Sequence, residues 1–200
     1  MTAARAEPGD PRTPVLEAAF GCVARFGFAK TTMEDVAREA GLSRATVYRV
    51  FPGGRDELFS AMVAWEMGRF FVRMAIAVQD AADFPAVVEG ALVFAHREIR
   101  EHAALQKVLA TEPERLLRFM RLEQDRILDA VVAYLRPLLG AEADAGRVVP
   151  GLDLDEATWF VATMGLSLMA TPGRFDLEDP VVVHALVRRE ILGGILVAPT

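Results

Sequence analysis

Residues 43–51, Ser-Arg-Ala-Thr-Val-Tyr-Arg-Val-Phe, hold two guanidinium groups, a phenol and two hydroxyls, and no carboxylate. Wound as a helix, Val47 and Phe51 fall four apart on one side, and Arg44, Ala45, Tyr48 and Arg49 gather on the other. A guanidinium fork matches the N7 and O6 edge of guanine as well as phosphate oxygens, and a residue as small as Ala45 lets backbone approach a base closely. Such a face fits the major groove of double-stranded DNA. The residue types alone equally describe a solvated helix face that happens to lack acids, so both readings stand at this point.

Other chemistries lack their signatures. The chain contains no phosphate-binding loop, no Gly-x-Ser-x-Gly turn, no dinucleotide fingerprint and no His-Glu-x-x-His. His96, His102 and His184 have no metal-ligand spacing, and the lone Cys22 rules out an internal disulfide framework and any multi-cysteine zinc site. No catalytic residue, metal or cofactor is therefore expected, and the chain does not read as an enzyme. An all-helical enzyme with unadvertised carboxylates is the alternative in that class. A helical ligand-binding or interaction module without specific DNA binding is the alternative outside it.

Two further helices must position the 43–51 segment. Thr13 as N-cap and Pro14 behind it open the first, whose stripe is Val15, Ala18, Ala19, Cys22, Val23 and Phe26, with Gly27 ending it. Thr32 opens the second, with Glu34 and Asp35 at the positive end of its dipole and Met33, Val36, Ala37 and Ala40 inward. Gly41 closes it, Leu42 follows, and Ser43 caps the third helix, with Leu42 and Val47 at the two positions of a hydrophobic staple. Two helices joined through so tight a glycine turn suit a helix-turn-helix.

The order and spacing from Leu16 to Phe51, LEAAFGCVARFGFAKTTMEDVAREAGLSRATVYRVF, resemble the DNA-binding region of the TetR family over roughly residues 13–60. The likeness rests on Phe26-Gly27, Thr31-Thr32, Ala40-Gly41-Leu42-Ser43, and Thr46, Tyr48 and Phe51. It implies that Arg44, Ala45 and Arg49 contact or approach bases, that Ser43, Thr46 and Tyr48 hold phosphates, and that Thr32 lies at a helix start close to the DNA backbone. Relatives carry a lysine at the start of the fourth helix that grips a phosphate. Here Phe51-Pro52-Gly53-Gly54-Arg55 is one residue longer, and Arg55 is the candidate for that grip. Met33 and Glu34 occupy positions where relatives often contact DNA. Glu34 would either repel phosphate or accept a proton from a cytosine amino group.

At 200 residues, 52% hydrophobic and 25% charged, the chain is a folded protein rather than a disordered tail. The net charge of -6 hides a division: residues 1–60 carry eight acids and eight Lys/Arg, so the excess acid lies beyond them. Residues 1–12 have no apolar run behind Arg5 and Arg12 and read as a disordered lead-in rather than a secretory signal. Residues 13–58 form the helix-turn-helix domain, and 59–200 a helical effector-binding and dimerisation domain, about nine helices in an all-α chain. The uncharged stretch from Ala157 to Gly173 is shorter than the ~20 residues a bilayer requires and is interrupted by threonines and Ser167, so no membrane contact is expected and the localisation reads as cytoplasmic.

From Asp56 the pattern is helical: about 56–80, then 86–101, 103–110 and 114–139, an acidic connection over 140–152, and finally 155–170 and 180–195. In TetR-like proteins the last two helices pair with their copies in a second subunit. Trp159, Phe160, Met164, Leu168, Val182, Leu186 and Ile191 supply apolar surface for such a homodimer, or cover the subunit's own core. The resemblance places a pocket for a small-molecule effector among the middle helices. Gln124, interrupting the stripe Leu116, Met120, Ile127, Val131, Leu135 and Leu138, needs a partner that is a ligand, a water or another side chain. His96 borders another stripe, and Trp65, Phe70, Phe94 and Tyr134 either line a cavity or pack the core. The resemblance thus implies two partners, a palindromic DNA operator and a small, largely apolar effector that releases a repressor homodimer from it.

Overall fold

The computed structural model describes residues 12–171 and 173–197. Among these, nine α-helices and no strand are present: α1 (Arg12–Phe26), α2 (Met33–Glu39), α3 (Arg44–Val50), α4 (Gly54–Ala77), α5 (Phe84–Glu101), α6 (Ala103–Thr111), α7 (Pro113–Asp144), α8 (Leu154–Ala170) and α9 (Pro180–Ala185). The expected all-α architecture holds. The segment 1–12, expected from sequence to be a disordered lead-in, falls outside the described residues except for Arg12, which belongs to α1. Thr13 is consequently inside the first turn rather than its N-cap, and its buried hydroxyl finds no hydrogen-bond partner.

The chain divides into two compact units. The first takes residues up to Phe70 together with Glu101–Glu123, the second Phe71–Arg100 together with residues from Gln124 onward. In the first unit the inward stripes of α1, α2 and α3 meet Leu58, Phe59 and Met62 of α4, and the core is completed by Val108, Leu116 and Phe119. Phe28 lies 5.2 Å from the ring of Phe59 and 5.5 Å from that of Phe119, geometry in which aromatic pairs attract beyond their buried area. The turn after α1 is held by Glu112, whose carboxylate accepts the Ala29 amide at 2.8 Å. Gly27 is required there twice over: its φ is +82°, and a Cβ would collide with that carboxylate. The Lys107 ammonium donates to the Ala24 and Arg25 carbonyls, at the end of α1 where the helix dipole favours a cation.

In the second unit Phe84, Val88 and Leu92 of α5 pack with Leu135 and Leu139 of α7, Val161 and Ala162 of α8, and Val183, Leu186 and Val187 from the last helix. Each of these side chains except Ala162 contributes about 1.5–3 kcal/mol relative to exposure. The structure departs from the expected boundaries at two places. α7 continues through Pro137 to Asp144, so the first five residues of the supposed acidic connection are helical, and Leu139 and Glu142 are buried on it. The last helix is α-helical only to Ala185 and then widens into a π turn, Leu186–Ile191, closed by the Leu192 amide on the Val187 carbonyl at 2.8 Å. Gly193 follows because a Cβ there would collide with the Arg189 carbonyl. The chain then folds back, with the Val149 amide on the Ile195 carbonyl and the Val197 amide on the Arg147 carbonyl, both at 3.0 Å.

Glu142, 6% exposed, ties the end of α7 to the start of α5 by accepting from the Phe84 amide at 3.3 Å and from Arg147 Nε at 2.5 Å. The hydrogen bond from Arg147 outweighs burial and holds the Glu142 carboxyl below its usual range. A carboxylate of this kind stabilises the fold above its ordinary pKa, and the contribution disappears as pH falls through the depressed one. Glu142→Gln is therefore expected to lower stability by about 2 kcal/mol at neutral pH. In urea unfolding the gap between variant and wild type should close on acidification; a gap independent of pH would show that the charge is not what matters.

Candidate nucleic-acid interface and apolar cavity

α3 is only seven residues long, and its geometry comes from its ends and its buried side. Ser43 accepts the Thr46 amide at 3.1 Å and shares a hydroxyl–hydroxyl bond with Thr46 at 2.9 Å. Val47 and Phe51 are fully buried, which turns Arg44, Ala45, Tyr48 and Arg49 outward; all four are exposed, and Thr46 is half-buried. Arg49 makes no ion pair with a described residue. Arg44 is differently placed: its Nη1 lies 2.6 Å from the Glu34 carboxylate and its guanidinium sits 5.3 Å from the Tyr48 ring centroid. Tyr48 first, and Glu34 second, raise the Arg44 pKa above its ordinary value.

Thr32 begins α2 with a capping box whose second member is Asp35. Its hydroxyl accepts the Asp35 amide at 3.1 Å, and the Asp35 carboxylate accepts both the Thr32 hydroxyl, at 2.7 Å, and the Thr32 amide, at 3.1 Å. The amide that would favour an external anion is thus already satisfied from within. Met33, placed by sequence beside the interface, is buried in the first core, while Glu34 is exposed. Gly54 opens α4 at a φ of +71°, and the Glu57 carboxylate accepts the Gly53 amide at 2.7 Å, so the longer turn is capped by its own side chain. Arg55 lies over the Phe59 ring, 5.4 Å from its centroid, and is half-buried there.

Residues 15–62, the segment that builds this surface, match the family model described as bacterial regulatory proteins, tetR family. The N-terminal module belongs to the tetR family. Over 50 residues it is 40% identical to an uncharacterised helix-turn-helix-type transcriptional regulator of Mycobacterium tuberculosis, a match covering 25% of this chain and 26% of that protein. The chain thus spans about a quarter of the length of the curated relatives it matches. The fold extends further. A putative TetR-family transcriptional regulator from Mesorhizobium loti superposes with a TM-score of 0.63 at 17% identity, covering 93% of this chain and 96% of that one. The TetR family repressor AlkX from a Dietzia strain gives 0.61 at 23% identity, covering 91% and 92%.

Beyond the tetR-family module, the second unit contains a cavity of 280 Å³ walled by α4, α5, α7 and α8. Of the side chains expected from sequence at such a pocket, it includes Tyr134 alone. Trp65 and Phe70 belong to the first unit, Trp65 packing on that core with the Arg69 guanidinium 4.6 Å from its ring centroid. Phe94 is buried beside Arg97, Pro180 and Val183 in a separate hollow. His96 faces Glu178, its Nε2 3.9 Å away. Gln124 is exposed, contrary to the inward amide expected, because α7 carries two stripes rather than one. Leu116 and Phe119 serve the first core and Leu128, Val132, Leu135 and Leu139 the second, with exposed residues 124–126 between them. Residues the sequence reading missed include Ala91, Ala162, Gly165 and Met169; the signal of the first three is small side chains on facing helices.

The residues expected at a homodimer interface also separate. Trp159 and Phe160 are exposed, at 54% and 42%, and Met164 and Val182 half-buried. Leu168, Leu186 and Ile191 lie in the chain's own core, so they cover the subunit rather than offering surface.

Hydrogen bonds from Thr32 hold the Asp35 carboxyl below its ordinary range, with a smaller push from Arg38. Thr32→Ala should let the Asp35 titration rise toward the ordinary value, readable by NMR, and should cost about 1 kcal/mol of stability through loss of the cap. The stabilisation belongs to pH above the ordinary Asp range and fades as pH falls through the depressed value. An unmoved Asp35 titration in the variant would remove Thr32 as its cause.

Proposed function

We propose that the chain is a DNA-binding transcription regulator that works in the cytoplasm as a homodimer on a palindromic operator, and that a small, largely apolar effector releases it, making it a repressor. The observation that carries this reading is the exposed, carboxylate-free face of α3, presented by a module of the tetR family. Arg49, exposed and without an ion pair among the described residues, is assigned to base edges, with Ala45 allowing close approach. Ser43, Thr46 and Tyr48 are assigned to phosphates, as is Thr32 if Asp35 yields its hydroxyl. Arg55 reaches a phosphate only by leaving the Phe59 ring.

Dimerisation follows from what one seven-residue helix can do. Two such helices about one DNA turn apart, roughly 34–36 Å, read a palindrome that a single helix binds weakly. Trp159 and Phe160, large and exposed on one face of α8, are the residues assigned to the partner. For the switch, α4 is the element of interest. It carries Leu58 and Phe59 in the first core and Met74 and Ala75 on the cavity wall. A ligand that displaces Met74 and Ala75 acts on the helix that follows α3 directly in the chain. It must bind the two states unequally, or DNA affinity does not change.

Selection from a randomised DNA pool at moderate salt tests the reading. A palindromic site is expected, and Tyr48→Ala with Arg49→Ala should abolish its enrichment. A flat pool, or a site indifferent to both substitutions, would overturn the assignment of α3. Glu34 adds a second expectation. Its carboxylate neutralises Arg44 beside the DNA, so Glu34→Gln should strengthen sequence-blind binding and steepen its salt dependence by about one released counterion. An unchanged salt slope would remove Glu34 from the interface.

A further inference from the structure

The cavity of the second unit says more about its occupant than that it is apolar. Its side chains come from Phe71 to Val78, Val87 to Leu92, Ala130 to Leu135 and Val161 to Met169. Among the lining residues, the only side-chain heteroatoms are the thioether sulfurs of Met74 and Met169 and the phenol oxygen of Tyr134. No ionisable group other than that phenol is present. The mouth is marked by Val72 and Tyr134, at 60% and 37% exposure, so the one polar group stands where the cavity meets solvent.

The backbone offers no charge partner either. The lining segments are helical, and peptide groups inside helices are spent on each other. The one helix start that approaches the cavity is that of α5, and its first donors are taken. The Phe84 amide goes to Glu142, the Ala86 amide to Asp83 Oδ1 at 2.8 Å, and the Val87 amide to the Asp83 carbonyl at 3.1 Å; Pro85 has none. The other helix ends among the walls are the last turns of α4 and α8, which carry the negative end of the dipole and disfavour an anion. Arg73, next in sequence to Val72, is already paired with Glu98 at 3.3 Å.

We propose that this cavity takes an uncharged lipophile, with at most one hydrogen-bonding group directed to the Tyr134 phenol, and rejects molecules with an ionised head. The proposal rests on the reading of the second unit as the effector-binding part. Desolvating a carboxylate, phosphate or ammonium against walls without a counter-charge costs far more than the chain's burial returns, so such a group neutralises or stays out. Size sets the scale. An apolar cavity of about 150 Å³ holds benzene, so 280 Å³ has room for about a dozen carbon atoms. A neutral ten-carbon alcohol, ketone or ester, or a terpenoid of that size, fits this description.

Isothermal titration of the full-length protein with 1-decanol, 2-decanone, decanoate and decylammonium separates head from tail, since all four share a chain. The two neutral probes should bind. Decylammonium should not, and decanoate should bind only as its acid, with affinity falling about tenfold per pH unit above the ligand's own pKa. Ala162→Leu, which fills space at a cavity-lining residue, and Gly165→Leu, where a Cβ meets nothing within 4 Å, should each abolish binding while retaining a cooperative melt. Ala162→Leu or Gly165→Leu that melts cooperatively and binds the neutral probes undiminished overturns the assignment to this cavity. Decanoate binding with pH-independent affinity, binding of decylammonium, or binding of none of the four overturns the ligand class. The regulatory reading is scored apart from this, by adding 1-decanol to the protein on its selected DNA. Binding of decanol without loss of DNA retention supports the ligand class and counts against the switch alone.

Discussion

A helix of seven residues has no stability of its own in water. What α3 can present therefore depends on the burial of Val47 and Phe51 and on the bonds from Ser43. Those two side chains fix the rotation of the helix about its axis: with them inside, Arg44, Ala45, Tyr48 and Arg49 have only one direction to face. The caps fix its pitch. Thr32 with Asp35 at α2, Ser43 with Thr46 at α3 and Glu57 on the Gly53 amide at α4 each satisfy donors that a short helix leaves bare.

That base is not built by the first four helices alone. Phe28, in the turn after α1, is fully buried only because Phe119 closes over it, and Val108 and Leu116 supply the rest of that wall. Glu112 and Lys107 then bond the end of α1 and its turn through groups some eighty residues distant in sequence. A module of fewer than fifty residues buries too small a share of its surface to be robust, and recruiting α6 and the first turns of α7 offsets that deficit. The same recruitment means that a change at α6 is felt at the end of α1 through a carboxylate and an ammonium as well as through the apolar contact of Val108.

The legibility of these features in the sequence follows the range of the interactions behind them. The helix-turn-helix is local: its caps, stripes and glycine turn lie within a few residues of what they control, and the reading of Thr32, Ser43, Val47 and Phe51 agrees with the structure. Thr13 misleads because the helix can begin one residue earlier than its best capping side chain. The middle helices are long-range. Periodicity shows that α7 has apolar positions, but not that Leu116 and Leu135 serve different cores, which is why Gln124 looks inward on paper and lies outside. Size misled as well. Large aromatic side chains suggested a pocket, whereas Phe94 fills space and it is the small residues, Ala91, Ala162 and Gly165, that leave it empty. The last helix could not be divided either, since a π turn has no periodic signature distinct from an α-helix over six residues.

The apolar cavity also departs from the rule that protein interiors are close-packed: 280 Å³ between α4, α5, α7 and α8 is not filled by side chains. A core under no constraint but stability would fill it, since substitutions such as alanine to leucine at its walls are chemically simple. The unit instead concentrates its stabilising contacts away from the void: Glu142 with Phe84 and Arg147, Arg188 with Asp83 and Glu89, and the fold-back of Val148 against Leu196. A molecule that enters the cavity recovers dispersion contacts the helices cannot make with each other, so part of its binding energy comes from the protein's own incomplete packing. Where such contacts fall on Met74 and Ala75 at one end of α4, the recovered energy depends on where that helix lies, and this dependence is the requirement for a ligand to favour one position of it over another.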